Sequence, residues 1–429
     1  MPTHNQLIYI SGLLLTLASS IAFLFALRRN AKVSPTAKHI FSTCLGIGIS
    51  LWVYGRRETI LILSPTFLIW MLKGLAVQNS PNFVKLSSAA LLAWLAYWHL
   101  QDAAGRGGQQ EYKVSFTTSL MLVVSRLIMV LGDLSAKRIS LLQCSFWRFF
   151  GYSVGFGTFL AGPLMPISTY LAVVEHSTSV IPAAVSNAQI LTNALWLIGQ
   201  SLVFGVLHCV IGLFWKPSKL VSAEFALASC WTKALWIWGA AFSRRLQYYF
   251  AWRFAEGCST LVGFTQEQNA STTQQPNVRI IKVLACELAS SPKEFLDNWH
   301  ISTARWLYDY VYIASVPAGE KPGVYSTLLT HFVSAFWHGT NFGYYVTFGS
   351  AALNILAMRQ ARRKTWHWIV KLPVAFRKVF GVLMTQFFVS GFMAPFLLLG
   401  VKEVMHFERE IWWLPQVVTL VVFVAGVFL

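Results

Sequence analysis

The chain has 429 residues, of which 55% are hydrophobic and 12% charged, and its formal net charge is +18. Soluble globular chains carry about 25% charged residues, so this composition excludes an ordinary soluble globule and implies a polytopic membrane protein. The basic residues fall in short clusters between apolar runs, such as Arg28-Arg29, Arg56-Arg57, Lys137-Arg138, Arg244-Arg245 and Arg362-Arg363-Lys364, a pattern of cytoplasmic loop ends and headgroup contacts rather than of a nucleic-acid surface.

Roughly 20 apolar residues cross the hydrocarbon layer. Spans are predicted at 7–27, 41–54, 59–77, 86–99, 116–134, 146–160, 190–214, 225–241, 327–348, 379–401 and 412–429. The first reads as an uncleaved signal anchor, because Arg28-Arg29 follows it rather than precedes it, and its N-terminus is expected to face away from the cytoplasm. The expected fold is all-α: a polytopic transmembrane bundle of about 11 spans, forming one integral membrane domain over residues 1–429.

Within the 146–160 run, Gly151-Tyr152-Ser153-Val154-Gly155 matches the G-x-S-x-G pattern of serine hydrolases. It lies in an apolar run rather than at a strand-to-helix turn, so small residues packing against a neighbouring helix are the better reading. Polar stretches at 101–113 and 265–279 read as loops, and the second holds a sequon, Asn269-Ala270-Ser271, which matters only if that loop faces the lumen. Glu256, in an apolar context, reads as a structural ion-pair partner for Arg253. The six cysteines are scattered, with no CxxC pair and no zinc-type Cys/His spacing, so no disulfide framework and no metal site is expected.

From 283 to 314 the pattern changes. Glu287, Lys293, Glu294, Asp297, Arg305 and Asp309 are mixed with a dense set of aromatic residues. Trp299, Thr303, Trp306 and Tyr310 recur at spacings of four, three and four. One amphipathic helix at the membrane interface is the natural expectation. The next apolar stretch, 323–345, has no Asp, Glu, Lys or Arg and carries Trp337-His338-Gly339 in its second half. An ionisable side chain at membrane depth usually faces a polar cavity and serves a mechanism, which makes His338 the first candidate. His331, seven residues earlier, falls near the same helical face and reads as core or interfacial. Gly339 and Gly343 would let another helix approach His338.

These segments carry a family resemblance. EFLDNWHISTARWLYDYVY, followed by a short loop and HFVSAFWHGTNFGYY, resembles the two signature segments of the membrane-bound O-acyltransferases. The nearest likeness is to the fungal and plant lysophospholipid acyltransferases of that family. FWRFFGYSVGFGTFLAGPLMPISTYL and RLQYYFAWRFAEGCSTLVGF resemble two further family segments, so the likeness runs in order over about residues 115–350.

The resemblance implies an acyl-CoA-dependent transfer to a lysophospholipid hydroxyl in the endoplasmic reticulum membrane. Acyl-CoA would be co-substrate, with no cofactor and no metal, and the partners would be membrane lipids rather than nucleic acid. It makes His338 the catalytic base, and the chemistry agrees: transfer from a thioester to an alcohol needs a base, oxyanion donors and a dry site. The substrate-lining candidates are Trp299, Trp337, Ser334, Gly339 and Tyr344.

The family's second polar site residue is usually Asn, and here that position is His300. Three readings follow: a working variant in which His300 is catalytic, an altered acceptor preference, or a silent site. Asn298 would point to a different face and is no substitute. Peptide acylation, a transporter and a non-catalytic lipid-binding homologue stand as alternatives, a transporter being expected to show paired broken helices or a repeat.

Overall fold

A computed structural model describes residues 4–28, 30, 32–78, 81–105, 115–175, 186–264, 278–317 and 319–428. The Asn269 sequon and most of the 101–113 stretch lie outside the described residues. Every regular element among the described residues is helical. The chain divides into two compact units, Met1–Ser201 with Ala251–Ile280, and Leu202–Phe250 with Ile281–Leu429.

In the first unit, α1 (His4–Ala22) runs into a π-helical turn, Phe23–Leu27, and is followed by α2 (Pro35–Tyr54), α3 (Arg56–Val77), α4 (Pro81–Gly105) and α5 (Thr117–Ser135). Two shorter helices complete it, α6 (Phe146–Val154) and α7 (Ile167–Glu175). Ser34 caps α2 by accepting the Ala37 N–H at 3.2 Å, and Pro35 occupies the first turn, where its missing N–H costs nothing. Helix α5 is buried along almost its whole length and forms the centre of this unit.

The predicted span 146–160 does not continue as a helix past Val154. Residues 155–166 run as buried irregular backbone, which membrane depth tolerates only where protein satisfies the freed carbonyls. Arg126 on α5 does so: its fully buried guanidinium donates to Ser153 O at 2.8 Å and Thr158 O at 2.6 Å, with longer bonds to Tyr152 O and Pro163 O at 3.4 Å. Ser153 is itself fully buried where α2 packs on α6, in accord with packing rather than nucleophilic chemistry for the G-x-S-x-G run. Glu256 is buried against Arg253 at 2.7 Å, the structural ion pair expected.

Two long helices contribute to both units, α8 (Asn187–Phe214) and α10 (Cys230–Val262), with α9 (Ala223–Leu227) between them. The second unit then contains three short helices, α11 (Val283–Glu287), α12 (Pro292–Asn298) and α13 (Ile301–Leu307), the last continuing as a π-helical turn, Tyr308–Tyr312. Four helices finish the chain's described part after α14 (Val324–His338): α15 (Phe342–Ile369), α16 (Val374–Leu398), α17 (Val401–Glu410) and α18 (Leu414–Phe428). A core of Leu220, Phe225, Ala240, Ala394 and Phe407 ties this unit together.

Among the described residues, five helices are long and apolar enough to cross a bilayer, or six if the pair Val401–Glu410 and Leu414–Gly426, bent by 69°, counts as one span. The protein is therefore all-α with several membrane-length helices, but the eleven drawn spans are not reproduced by that test. Two departures matter for the site. The 327–348 span is broken after His338, where Gly339 takes φ 139°, a conformation suited to glycine. The single amphipathic helix expected within 283–314 is broken at His300, which sits in the left-handed region at φ 42°.

Candidate active site

The break at Gly339 places His338 on the last residue of an apolar helix rather than in the middle of a span. The chain reverses there, and aromatic rings close around the imidazole. Phe348 of α15 stacks on it with ring centroids 5.1 Å apart, Phe396 of α16 meets it edge-on at 5.2 Å, and Trp337 and Tyr344 lie at 4.9 and 5.8 Å. Gly343 permits this approach: a Cβ there would overlap the Pro395 carbonyl of α16, and its N–H donates to Leu399 O at 3.0 Å. Ser334 is buried one turn before His338. His331 is different, because its Nδ1–H donates to Thr327 O at 2.9 Å, a bond within its own helix.

His300 caps α13, donating no side chain to the cap but supplying the left-handed turn that redirects the chain out of α12. Histidine and asparagine are among the few non-glycine residues enriched in that region. The two helices it joins are too short to cross a bilayer. The residue keeps an intermediate exposure, yet the protein packed around its ring disfavours a cation: burial pushes the imidazole down to about 3, so it is neutral at physiological pH. Asn298 is committed elsewhere, its amide donating to Glu294 O at 2.8 Å.

Helix α13 is tied to α14 through Trp306 and Trp337, whose rings are 5.8 Å apart, and the π-helical turn after α13 also packs on α14. Ser315 donates to Ser326 Oγ at 2.9 Å nearby. From His300 to Trp306 the helix rises about 9 Å. The element opened by His300 thus lies beside the element closed by His338. Trp299 belongs to another cluster, stacked on Phe295 at 5.3 Å and meeting Tyr248 and Tyr249 edge-on at 5.8 and 5.9 Å. Of the candidate lining residues, Trp337, Gly339 and Tyr344 gather at His338, with Ser334 a turn away, and Trp299 does not join them.

Sequence reasoning missed the polar group under Trp299. Arg245, fully buried on α10, forks onto Glu287 with Nε to Oε1 at 2.8 Å and an Nη to Oε2 at 2.9 Å. Tyr249 OH also donates to Glu287 Oε1, and Gln386 of α16 accepts from Arg245 at 3.0 Å while donating to Glu287 O at 3.0 Å. Asn298 O accepts from Lys282 N at 3.1 Å, which fastens the start of α11 to the end of α12. The only signals were a Glu in an otherwise apolar VLACELA run and an Arg close to a Tyr-Tyr pair.

Comparison with known proteins places the chain in a family. The family model for MBOAT, the membrane-bound O-acyltransferase family, matches residues 59–394. Membrane-bound glycerophospholipid O-acyltransferase 2 of Rattus norvegicus is 23% identical over 428 residues, covering 92% of this chain and 79% of its own length. Lysophospholipid acyltransferase of Schizosaccharomyces pombe is 29% identical over 286 residues, 64% of this chain and 56% of its own, and that of Saccharomyces cerevisiae 31% over 221 residues, 49% and 36%.

Proposed function

Because the chain belongs to the membrane-bound O-acyltransferase family, we propose that it transfers a fatty acyl group from acyl-CoA to the free hydroxyl of a lysophospholipid. The names of the rat and yeast relatives support that acceptor class. The observation that carries the reading is His338, an imidazole at the end of an apolar helix with aromatic rings packed around it.

In the proposed reaction the His338 ring takes the proton of the acceptor hydroxyl while its oxygen bonds to the thioester carbonyl carbon. The C–S bond then breaks, the acyl group stays on the acceptor oxygen, and the CoA sulfur leaves with the proton returned by the imidazolium. No acyl-enzyme forms. A neutral His300 has one ring N–H to donate, and we assign it to the carbonyl oxygen on which negative charge develops. Trp337, Gly339, Ser334 and Tyr344 shape the surface beside the base, and Trp299 holds the His300 turn in place. The setting we assign is an integral endoplasmic reticulum enzyme acting as one domain, with α12 and α13 at the membrane interface and no cofactor beyond the acyl-CoA co-substrate.

Purified protein incubated with radiolabelled oleoyl-CoA and a panel of lysophospholipids is expected to yield a labelled diacyl phospholipid. Labelling of no lysophospholipid in the panel, with a peptide hydroxyl labelled instead, would overturn the acceptor assignment.

The His300 assignment has its own test. His300→Ala should lower turnover about 10-fold, the scale of a lost positioning contact. His300→Asn should fold readily, since asparagine also accepts the left-handed turn, and should keep activity within a small factor. With the wild-type imidazole at about 3, neither side chain is charged in the range where the enzyme is assayed, so the two pH–activity profiles should superimpose. An acid limb displaced by His300→Asn would overturn the neutral-donor assignment, and wild-type turnover in both variants would remove His300 from the mechanism.

A further inference from the structure

The Lys137-Arg138 cluster has no part in the acyl-transfer reading, yet the structure places it at a cleft. Helices α3 and α5 are both long and apolar enough to cross a bilayer. Their C-terminal ends, Val77 and Leu134, line one side of an open cavity of about 540 Å³, and residues 137–143, among them Lys137, Arg138, Leu141 and Leu142, line the rest. That volume is in the range of small-molecule sites, about 300–1,000 Å³.

The charged side chains among the cavity's lining residues are Lys137 and Arg138, with no Asp or Glu among them. Asp133 is buried, and it takes one nitrogen of Arg138 at 3.1 Å while the Arg138 side chain stays 59% exposed. The helix-end carbonyls are already used, since Lys137 N donates to Leu134 O and Arg138 N to Asp133 O. Lys137 is exposed and adopts φ 56°, the left-handed position at a helix end that glycine fills most readily.

Leu141 and Leu142, and the aromatic residues that follow them in the chain, are of another character. Leu142 is 81% exposed, Leu141, Phe146 and Trp147 are also exposed, and Trp70 meets Phe146 edge-on at 5.2 Å with Lys73 over its ring at 4.2 Å. Aromatic rings and lysines at the ends of apolar helices are the signature of the headgroup layer. We infer that this cleft binds an anionic phospholipid, its headgroup phosphate held by Lys137 and Arg138 and its acyl chains lying along Val77, Leu141 and Leu142. Charge selects the headgroup, and the exposed leucines select a lipid over a soluble anion. The inference stands independently of the acyl-transfer reading, because none of these residues belongs to the proposed reaction.

The test is native mass spectrometry of the full chain in detergent, offered equal amounts of phosphatidylserine and phosphatidylcholine with the same acyl chains. Wild type should retain phosphatidylserine preferentially, and excess inorganic phosphate should leave that preference in place. Lys137→Gly removes the cation while relieving the left-handed backbone, so its melting temperature should equal or exceed that of wild type. Its preference should fall about fivefold, the effect of one cation at an anionic surface. Lys137→Gln serves as a second variant that keeps the side chain's length. Equal retention of the two lipids by wild type, an unchanged preference in both folded variants, or displacement by inorganic phosphate would each overturn the assignment.

Discussion

His338→Ala is expected to lower acyl transfer by about 10²–10⁴-fold, the usual contribution of a positioned general base, with no loss of the protein from the membrane. The side chain ends α14, and Gly339 carries the turn, so truncating His338 leaves the backbone geometry that defines the reversal intact. What disappears is the proton acceptor between Phe348 and Phe396. His338→Gln should be as inactive, since an amide keeps much of the volume but cannot take the proton. His331→Gln supplies the contrast: that ring is bonded to its own helix at Thr327 O, so its loss should leave turnover near wild type. Rates measured at equal expression decide the matter, and residual activity of the His338→Ala variant above about a tenth of wild type would sink the base assignment.

Much of this site was legible in the residues. Composition alone set the membrane class, and Trp337-His338-Gly339 in a charge-free stretch marked the position that the fold surrounds with aromatic rings. The breaks were harder to see. Trp299, Thr303, Trp306 and Tyr310 keep a helical spacing on paper, so periodicity read one helix where His300 turns the chain through φ 42°. No glycine or proline announces that turn, and histidine gives only a weak hint of it. At Gly339 the hint was stronger, a glycine followed by Thr340 and Asn341, but the apolar run on both sides outweighed it in a span count. Hydropathy also hides the contribution of Arg126. A buried arginine in a predicted span looks like a penalty until the irregular backbone at 155–166, and its unpaired carbonyls, are known. Pairings distant in sequence, such as Arg245 with Glu287, leave no periodic trace at all.

That last pair makes the second large prediction. Glu287→Gln should destabilise the folded protein by about 3 kcal/mol, the lower end of the cost of stripping one partner from a buried ion pair. The lower end applies because Glu287 retains 19% side-chain exposure while Arg245 has none. The amide can still accept from Tyr249 and from one arm of the guanidinium, but as a neutral acceptor it holds both more weakly. The uncompensated Arg245 charge is what costs. A double variant, Arg245→Met with Glu287→Gln, removes that charge and should recover part of the lost stability, giving a coupling opposite in sign to two independent losses. Turnover should follow a different course from stability. Tyr249 lies against Trp299, and Trp299 precedes His300, so both variants loosen the ring cluster from which the left-handed turn departs. The expected kinetic signature is a fall in kcat at saturating acyl-CoA that the double variant does not rescue even as its melting temperature rises. If the double variant is no more stable than Glu287→Gln alone, the electrostatic account of this group is wrong. If turnover instead recovers in step with stability, the group supports the fold and has no separate hold on the His300 turn.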